Sequence, residues 1–149
     1  MPTPTIPAPI ERISARLHRN MYRRSDGRRG GTVGSNKRPV ALLTTVGRRT
    51  GEEREWPVIY LSDGERIIVV ASNGGRDHHP AWYLNLQADP RCVVQRGGDR
   101  VSMTARDADP VERADLWPRL TALYSGYDDY AARTSRVLPV VVLERADRR

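Results

Sequence analysis

Arg48, Arg49 and Thr50 stand between Gly47 and Gly51, at the end of a β-prone apolar run that begins at Val40. Guanidinium forks match phosphate and carboxylate oxygens two at a time, and flanking glycines let the backbone come close. On a loop fed by a strand, two forks and a hydroxyl suit an anion. A hairpin turn with solvated arginines has the same composition, and the loop is neither a Walker A nor a Rossmann glycine pattern. A second polar set is Ala71-Ser72-Asn73-Gly74-Gly75, which ends a strand-like run and leads to a helix start at Pro80. Open backbone N–H groups there favour anions. Trp82 and Tyr83 open that helix, where they wall a flat ring system or fill the core.

Tyr124, Tyr127 and Tyr130 recur at spacings of three in a segment, YSGYDDY, that is too polar for a core. On a helix or turn they share one side. Such a group lines a substrate pocket with apolar faces and hydroxyls, or covers one end of a barrel as a satellite cluster. The usual catalytic constellations are missing. The histidines are His18, His78 and His79, the single cysteine is Cys92, and no Cys/His set has metal-ligand spacing. His78 and His79 read as loop surface before the helix proline, with the rim of a site as the alternative. An enzyme with this inventory leaves the hard step to a bound cofactor and supplies orientation and electrostatics.

The elements that must hold these residues read mostly as strands. Val40–Val46 precedes the arginine loop, and 56–61 leads through the turn Ser62-Asp63-Gly64 into 66–72, a β-hairpin signature. The helix PAWYLNLQAD follows, and then 91–96 and 100–106 flank Gly97-Gly98-Asp99 as a second hairpin. Asp109-Pro110-Val111-Glu112 has the form of a helix start, with an N-cap aspartate and a reciprocal glutamate. That helix should bury Leu116, Trp117, Leu120 and Leu123, and 137–144 should be the last strand. The expectation is a mainly β chain with helices (α+β): about six antiparallel strands curling into a small barrel, with two or three helices.

The length of 149 residues suits one domain, and the lone cysteine suits a reducing cytoplasm. The net charge of +7 is local: residues 1–40 hold nine Arg/Lys against two Asp/Glu, and 41–149 hold sixteen of each. The domain reading is accordingly a basic arm over 1–38 and a barrel domain over 39–149. Within the arm, Ile10, Ile13, Leu17 and Met21 follow a helical period, so residues 10–24 lie on an anionic membrane surface or pack on protein. Residues 25–38 read as a glycine-rich linker. Nucleic acid is not an expected partner, because the domain is neutral and the arm lacks a reading motif. No secretory signal is legible, so the expected location is cytoplasmic, peripheral to the inner face of the membrane if the arm binds there.

From Arg38 to Glu144 the chain resembles the deazaflavin-dependent nitroreductase family, split β-barrel oxidoreductases of actinobacteria with an FMN-binding-like fold. The motifs are LLTTVGRRTGEEREWPVIY, VVASNGGRDHHPAWYLNLQADP, TARDADPVERADLWPRL, YSGYDDY and PVVVLE. The resemblance implies hydride transfer from reduced coenzyme F420 to a small lipophilic acceptor: a quinone, a nitroaromatic or an unsaturated lactone. FMN is the alternative cofactor, since related split barrels bind it. Carried over, Arg48, Arg49 and Thr50 hold the acidic tail. Pro57, Ala71, Ser72, Asn73 and Gly74 line the deazaflavin ring, with Ala81 and Trp82 across from them. Ser72, Tyr124, Tyr127 and Tyr130 form the catalytic, acceptor-facing set. The chain departs from the best-known members at Arg49 and Asn73, both lysine there, and at Ile59, aromatic in some. The fold also leaves room for a homodimer, since paired barrels are common in it.

Overall fold

The computed structural model describes residues 32–33 and 38–146. The expected helix over 10–24 and most of the arm lie outside them. Eight strands are described: β1 (Thr32–Val33), β2 (Arg38–Val46), β3 (Glu53–Ile59), β4 (Leu61–Asp63), β5 (Arg66–Val70), β6 (Arg91–Arg96), β7 (Asp99–Asp107) and β8 (Val140–Arg145). Three α-helices accompany them: α1 (Ala81–Ala88), α2 (Pro110–Leu123) and α3 (Gly126–Arg133), with a 3-10 turn at Asn73–Gly75. All pairings are antiparallel, in the order β1-β2-β6-β7-β8-β5-β4, with β3 also on β2. Near the two ends of this order β3 and β5 touch, so the sheet curls into a barrel. The fold is thus the mainly β class with helices that the sequence pattern suggests.

The sheet separates two cores, and the period-2 alternation of β5 and β8 feeds both. Ile67, Val69, Val141 and Leu143 point into the barrel, where Trp82, Tyr83 and Leu86 of α1 join Ala41 and Leu43. Ile68, Val70, Val140 and Val142 face outward and are covered by Leu116 and Leu120 of α2 and Tyr127 of α3. This explains why RIIVV and VVVLER are nearly continuous apolar runs: both faces are buried. Full burial of each such leucine or isoleucine contributes roughly 1.5–3 kcal/mol. At the start of α2 the capping box is present: Asp109 Oδ1 accepts from Glu112 N at 2.8 Å, and Asp109 N donates to Glu112 Oε1 at 3.0 Å.

Several expectations change. The single strand over 56–61 divides at Tyr60, whose N–H donates to Pro39 O at 3.2 Å. Before it the chain pairs with β2, and after it with β5. The last strand begins at Val140, after Pro139, which has no N–H for the ladder. The linker reading of 25–38 gives way at Thr32–Val33, which pairs with Arg38 and Pro39 of β2. Of the α2 residues expected to be buried, Leu116 and Leu120 are, while Trp117 and Leu123 are half-buried. Among the described residues no helix is long and apolar enough to cross a membrane.

Candidate active site

The arginine loop closes the β2–β3 hairpin, with Gly47 N–H donating to Glu52 O at 2.7 Å and Gly51 N–H to Gly47 O at 2.8 Å. It is tied to α1 by Asn85, a residue the sequence reading did not single out. Asn85 Oδ1 accepts from both the backbone N–H and Nη1 of Arg48 at 3.2 Å, and its Nδ2 donates to Thr45 Oγ1 at 3.1 Å. This buried amide fixes where Arg48 stands and leaves Nε and Nη2 of Arg48 for a ligand. Arg49 and Thr50 are exposed on the same loop, and Thr50 Oγ1 accepts from Glu52 N at 3.2 Å.

Arg48 lines a cleft of about 580 Å³. Its walls bring together Pro57, Ser72, Asn73, Gly74, Ala81, Trp82, Tyr124, Tyr127 and Tyr130 from four separate stretches of chain. Arg49, Thr50 and Ala71 do not line it. Ala71 is fully buried in the barrel core, and only its backbone takes part, with its N–H donating to Pro139 O at 2.9 Å. Pro57 is tolerated because β3 pairs only with β2 and is an edge strand. Trp82 meets both expectations at once: it is buried in the core and one side forms cleft wall. Tyr83 belongs to the core alone. Its hydroxyl donates to Asp107 at 3.0 Å, and burial, then Asp107, pushes its pKa up to about 12.

The loop after β5 is shaped by its own polar groups. Asn73 Nδ2 donates to His78 O at 3.0 Å, and Asn73 and Gly74 both take positive φ, 48° and 65°. The Asn73 side chain is thus engaged within the loop. Arg76, three residues on, brings a guanidinium to the same cleft wall, and His78 and His79 also line it rather than lying on loop surface alone. Arg136, from the segment after α3, clamps this loop by donating to the carbonyls of Ala71, Ser72 and Arg76. Nothing in the local sequence marks Asn85, Arg76 or Arg136 for these positions.

Tyr124 caps α2, and Tyr127 and Tyr130 project from α3. The Tyr124 and Tyr130 hydroxyls are 2.6 Å apart, and the Tyr124 and Tyr127 rings meet edge to face at 4.9 Å. Arg38 lies over the Tyr124 ring at 4.7 Å and donates through Nε to Leu123 O at 3.2 Å. Tyr127 is buried against Leu116 and Leu120, and that burial raises its pKa. The triplet is therefore both a cover for the outer core and a cleft wall. A Cβ at Gly126 would stand 2.4 Å from Tyr124 Cζ, so a side chain there would displace the Tyr124 ring.

The described residues thus form a cleft lined by guanidiniums, flat apolar walls and hydroxyls. The family described as F420H(2)-dependent quinone reductase matches residues 14–145. The chain belongs to the F420H(2)-dependent quinone reductase family. An F420H(2)-dependent quinone reductase of Mycobacterium tuberculosis is 38% identical over 133 residues, which cover 87% of this chain and 89% of the relative. Among solved structures, an F420-H2 dependent reductase is similar with a TM-score of 0.67 and 35% identity, over 72% of this chain and 95% of that one. A domain-swapped dimer matches with a TM-score of 0.70 and 30% identity, over 92% of this chain and all, 100%, of the other. Membership of the F420H(2)-dependent quinone reductase family makes this chain an F420-dependent reductase of split-barrel fold, with coenzyme F420 as its cofactor. The donor set fits that molecule. Arg48 and Arg76 are cations that would suit an acidic tail, and Pro57 and Trp82 are walls that would suit a planar ring, beside a Trp56 Nε1 that is buried with no partner among the described residues.

Proposed function

We propose that this reductase passes a hydride from F420H2 to a small lipophilic acceptor, a quinone first and nitroaromatics or unsaturated lactones as further substrates. The observation that carries this reading is a single cleft lined both by the cations Arg48 and Arg76 and by the hydroxyl pair of Tyr124 and Tyr130. When bound, F420 supplies the hydride from its reduced ring. Arg48, with Arg49 and Thr50 on the same loop, holds the acidic tail. Pro57, Gly74, Ala81 and Trp82 flank the ring, Asn73 shapes the loop beside it, and Ala71 contributes through its backbone. Ser72, Tyr124, Tyr127 and Tyr130 face the acceptor. In the Tyr124–Tyr130 pair one hydroxyl donates to the other, and the pair lines the cleft that an acceptor oxygen would enter. Arg38 lies over the Tyr124 ring and adds a cation–π contact beside the pair. A fluorescence titration with F420, FMN and NADPH tests the cofactor preference. F420 should bind most tightly.

Tyr130→Phe removes one member of the 2.6 Å hydroxyl pair while keeping the ring. The expected result is a fall of about tenfold or more in kcat/KM for the acceptor, with F420 affinity unchanged. A change confined to cofactor affinity would mean that the acceptor lies elsewhere.

Residues 10–24 of the basic arm are the part we assign to an anionic membrane surface, where lipophilic quinones reside. The working location is then the cytoplasmic face of the membrane, and the working assembly is a homodimer, as in the domain-swapped relative. Removing residues 1–31 spares β1 and should leave turnover of a soluble acceptor intact while lowering co-sedimentation with anionic vesicles. Equal sedimentation of both forms would remove the membrane role.

A further inference from the structure

Arg136 makes one contact beyond its clamp on residues 71–76. Its Nη1 stands 3.0 Å from Nδ1 of His79. A guanidinium has only donors, so this is a hydrogen bond when Nδ1 carries the lone pair. The proton of the neutral ring then sits on Nε2. Nε2 has no partner among the described residues, and the ring forms part of the cleft wall. Four groups face or bias this histidine. Tyr83 of α1 stacks on the ring at 4.7 Å, with its hydroxyl already donated to Asp107 of β7. Burial first and Arg136 second lower the His79 pKa, and Asp107 opposes them. Asp77, in the same loop, acts on Arg136.

We propose that Arg136 is a positioning residue that fixes His79 as a neutral Nε2–H donor, and that this N–H donates a hydrogen bond to an acceptor atom of the deazaflavin. The proposal rests on the F420 reading above and assigns His79 a role beyond it. A neutral donor suits the uncharged carbonyl edge of a heterocycle, whereas a second cation there would compete for the acidic tail held by Arg48 and Arg76. The same clamp sets the height of the Ser72 and Arg76 carbonyls, so the loop and the histidine are positioned by one side chain.

Nitrogen-15 NMR of the full-length, histidine-labelled protein without ligand reads the tautomer directly, with His79→Gln identifying the signal. The expected pattern is Nε2 protonated and Nδ1 bare at neutral pH. Arg136→Gln removes the positive neighbour and should move the His79 titration to higher pH, an outcome that a purely structural role would not produce. In fluorescence titrations F420 affinity should fall about tenfold in His79→Leu, the size of one hydrogen bond. It should be largely kept in His79→Gln, whose amide N–H reaches the same region. A proton on Nδ1, or a charged His79 at neutral pH, overturns the proposal. Native protein that binds F420 while His79→Leu binds equally well overturns it too and leaves the cofactor reading standing. Native protein that does not bind F420 overturns both.

Discussion

Gly75→Ala is expected to cost roughly 2–4 kcal/mol, from an unfavourable left-handed backbone and a steric clash. Gly75 has φ +79°, and a Cβ built on it would lie 2.8 Å from Tyr130 O and 2.9 Å from Tyr130 Cα. Those are backbone atoms, which cannot rotate away as a side chain end would. Either the 3-10 turn or α3 must move. A loss of that size lowers the melting temperature by roughly 6–12 °C in a chain of this length. Gly64→Ala is the control, because Gly64 also has positive φ, +60°, but open space around it. It should cost only about 1 kcal/mol. The contact joins the turn that follows Ser72 to the helix that carries Tyr130, and both residues line the cleft, so cofactor binding and acceptor turnover should both fall in Gly75→Ala and not in Gly64→Ala. Equal melting temperatures for the two variants would show that α3 does not pack on the turn.

The second large effect is expected for Arg48→Ala combined with Arg49→Ala, with F420 affinity falling at least about tenfold. Charge-assisted hydrogen bonds of this kind contribute about 1.5–3 kcal/mol each. The backbone N–H of Arg48 still donates to Asn85 Oδ1 in the variant, so the loop stays anchored and the loss reports on the ligand. Arg48 lines the cleft and Arg49 does not, so Arg48→Ala alone should carry most of the change. Added salt should narrow the gap between native and variant, since screening weakens what the native arginines contribute. Fluorescence titration measures all three quantities. Unchanged affinity in the double variant would move the tail site off this loop.

The residue pattern by itself determined the parts of this protein that short-range physics governs. The hairpin around Gly97-Gly98, the reciprocal Asp109/Glu112 cap and the apolar runs of β5 and β8 each involve groups a few residues apart. Their hydrogen-bond and burial demands are therefore written in spacing. The same holds for the type of chemistry: arginines between glycines, and tyrosines three apart. Tertiary structure decided what those groups face. Asn85 reaches Arg48 across 37 residues, and Arg136 reaches Ser72 across 64. Neither contact has a local signature. The strand switch at Tyr60 follows from which neighbours each half finds, and α3 turns an ambiguous tyrosine segment into a cleft wall by resting on Gly75. His79 read as loop surface because its neighbours in sequence are polar. It became a cleft group because Arg136 and Tyr83, brought in from other elements, close around it. Contacts between distant segments depend on how the sheet curls, and sequence spacing constrains only what lies within a turn or two.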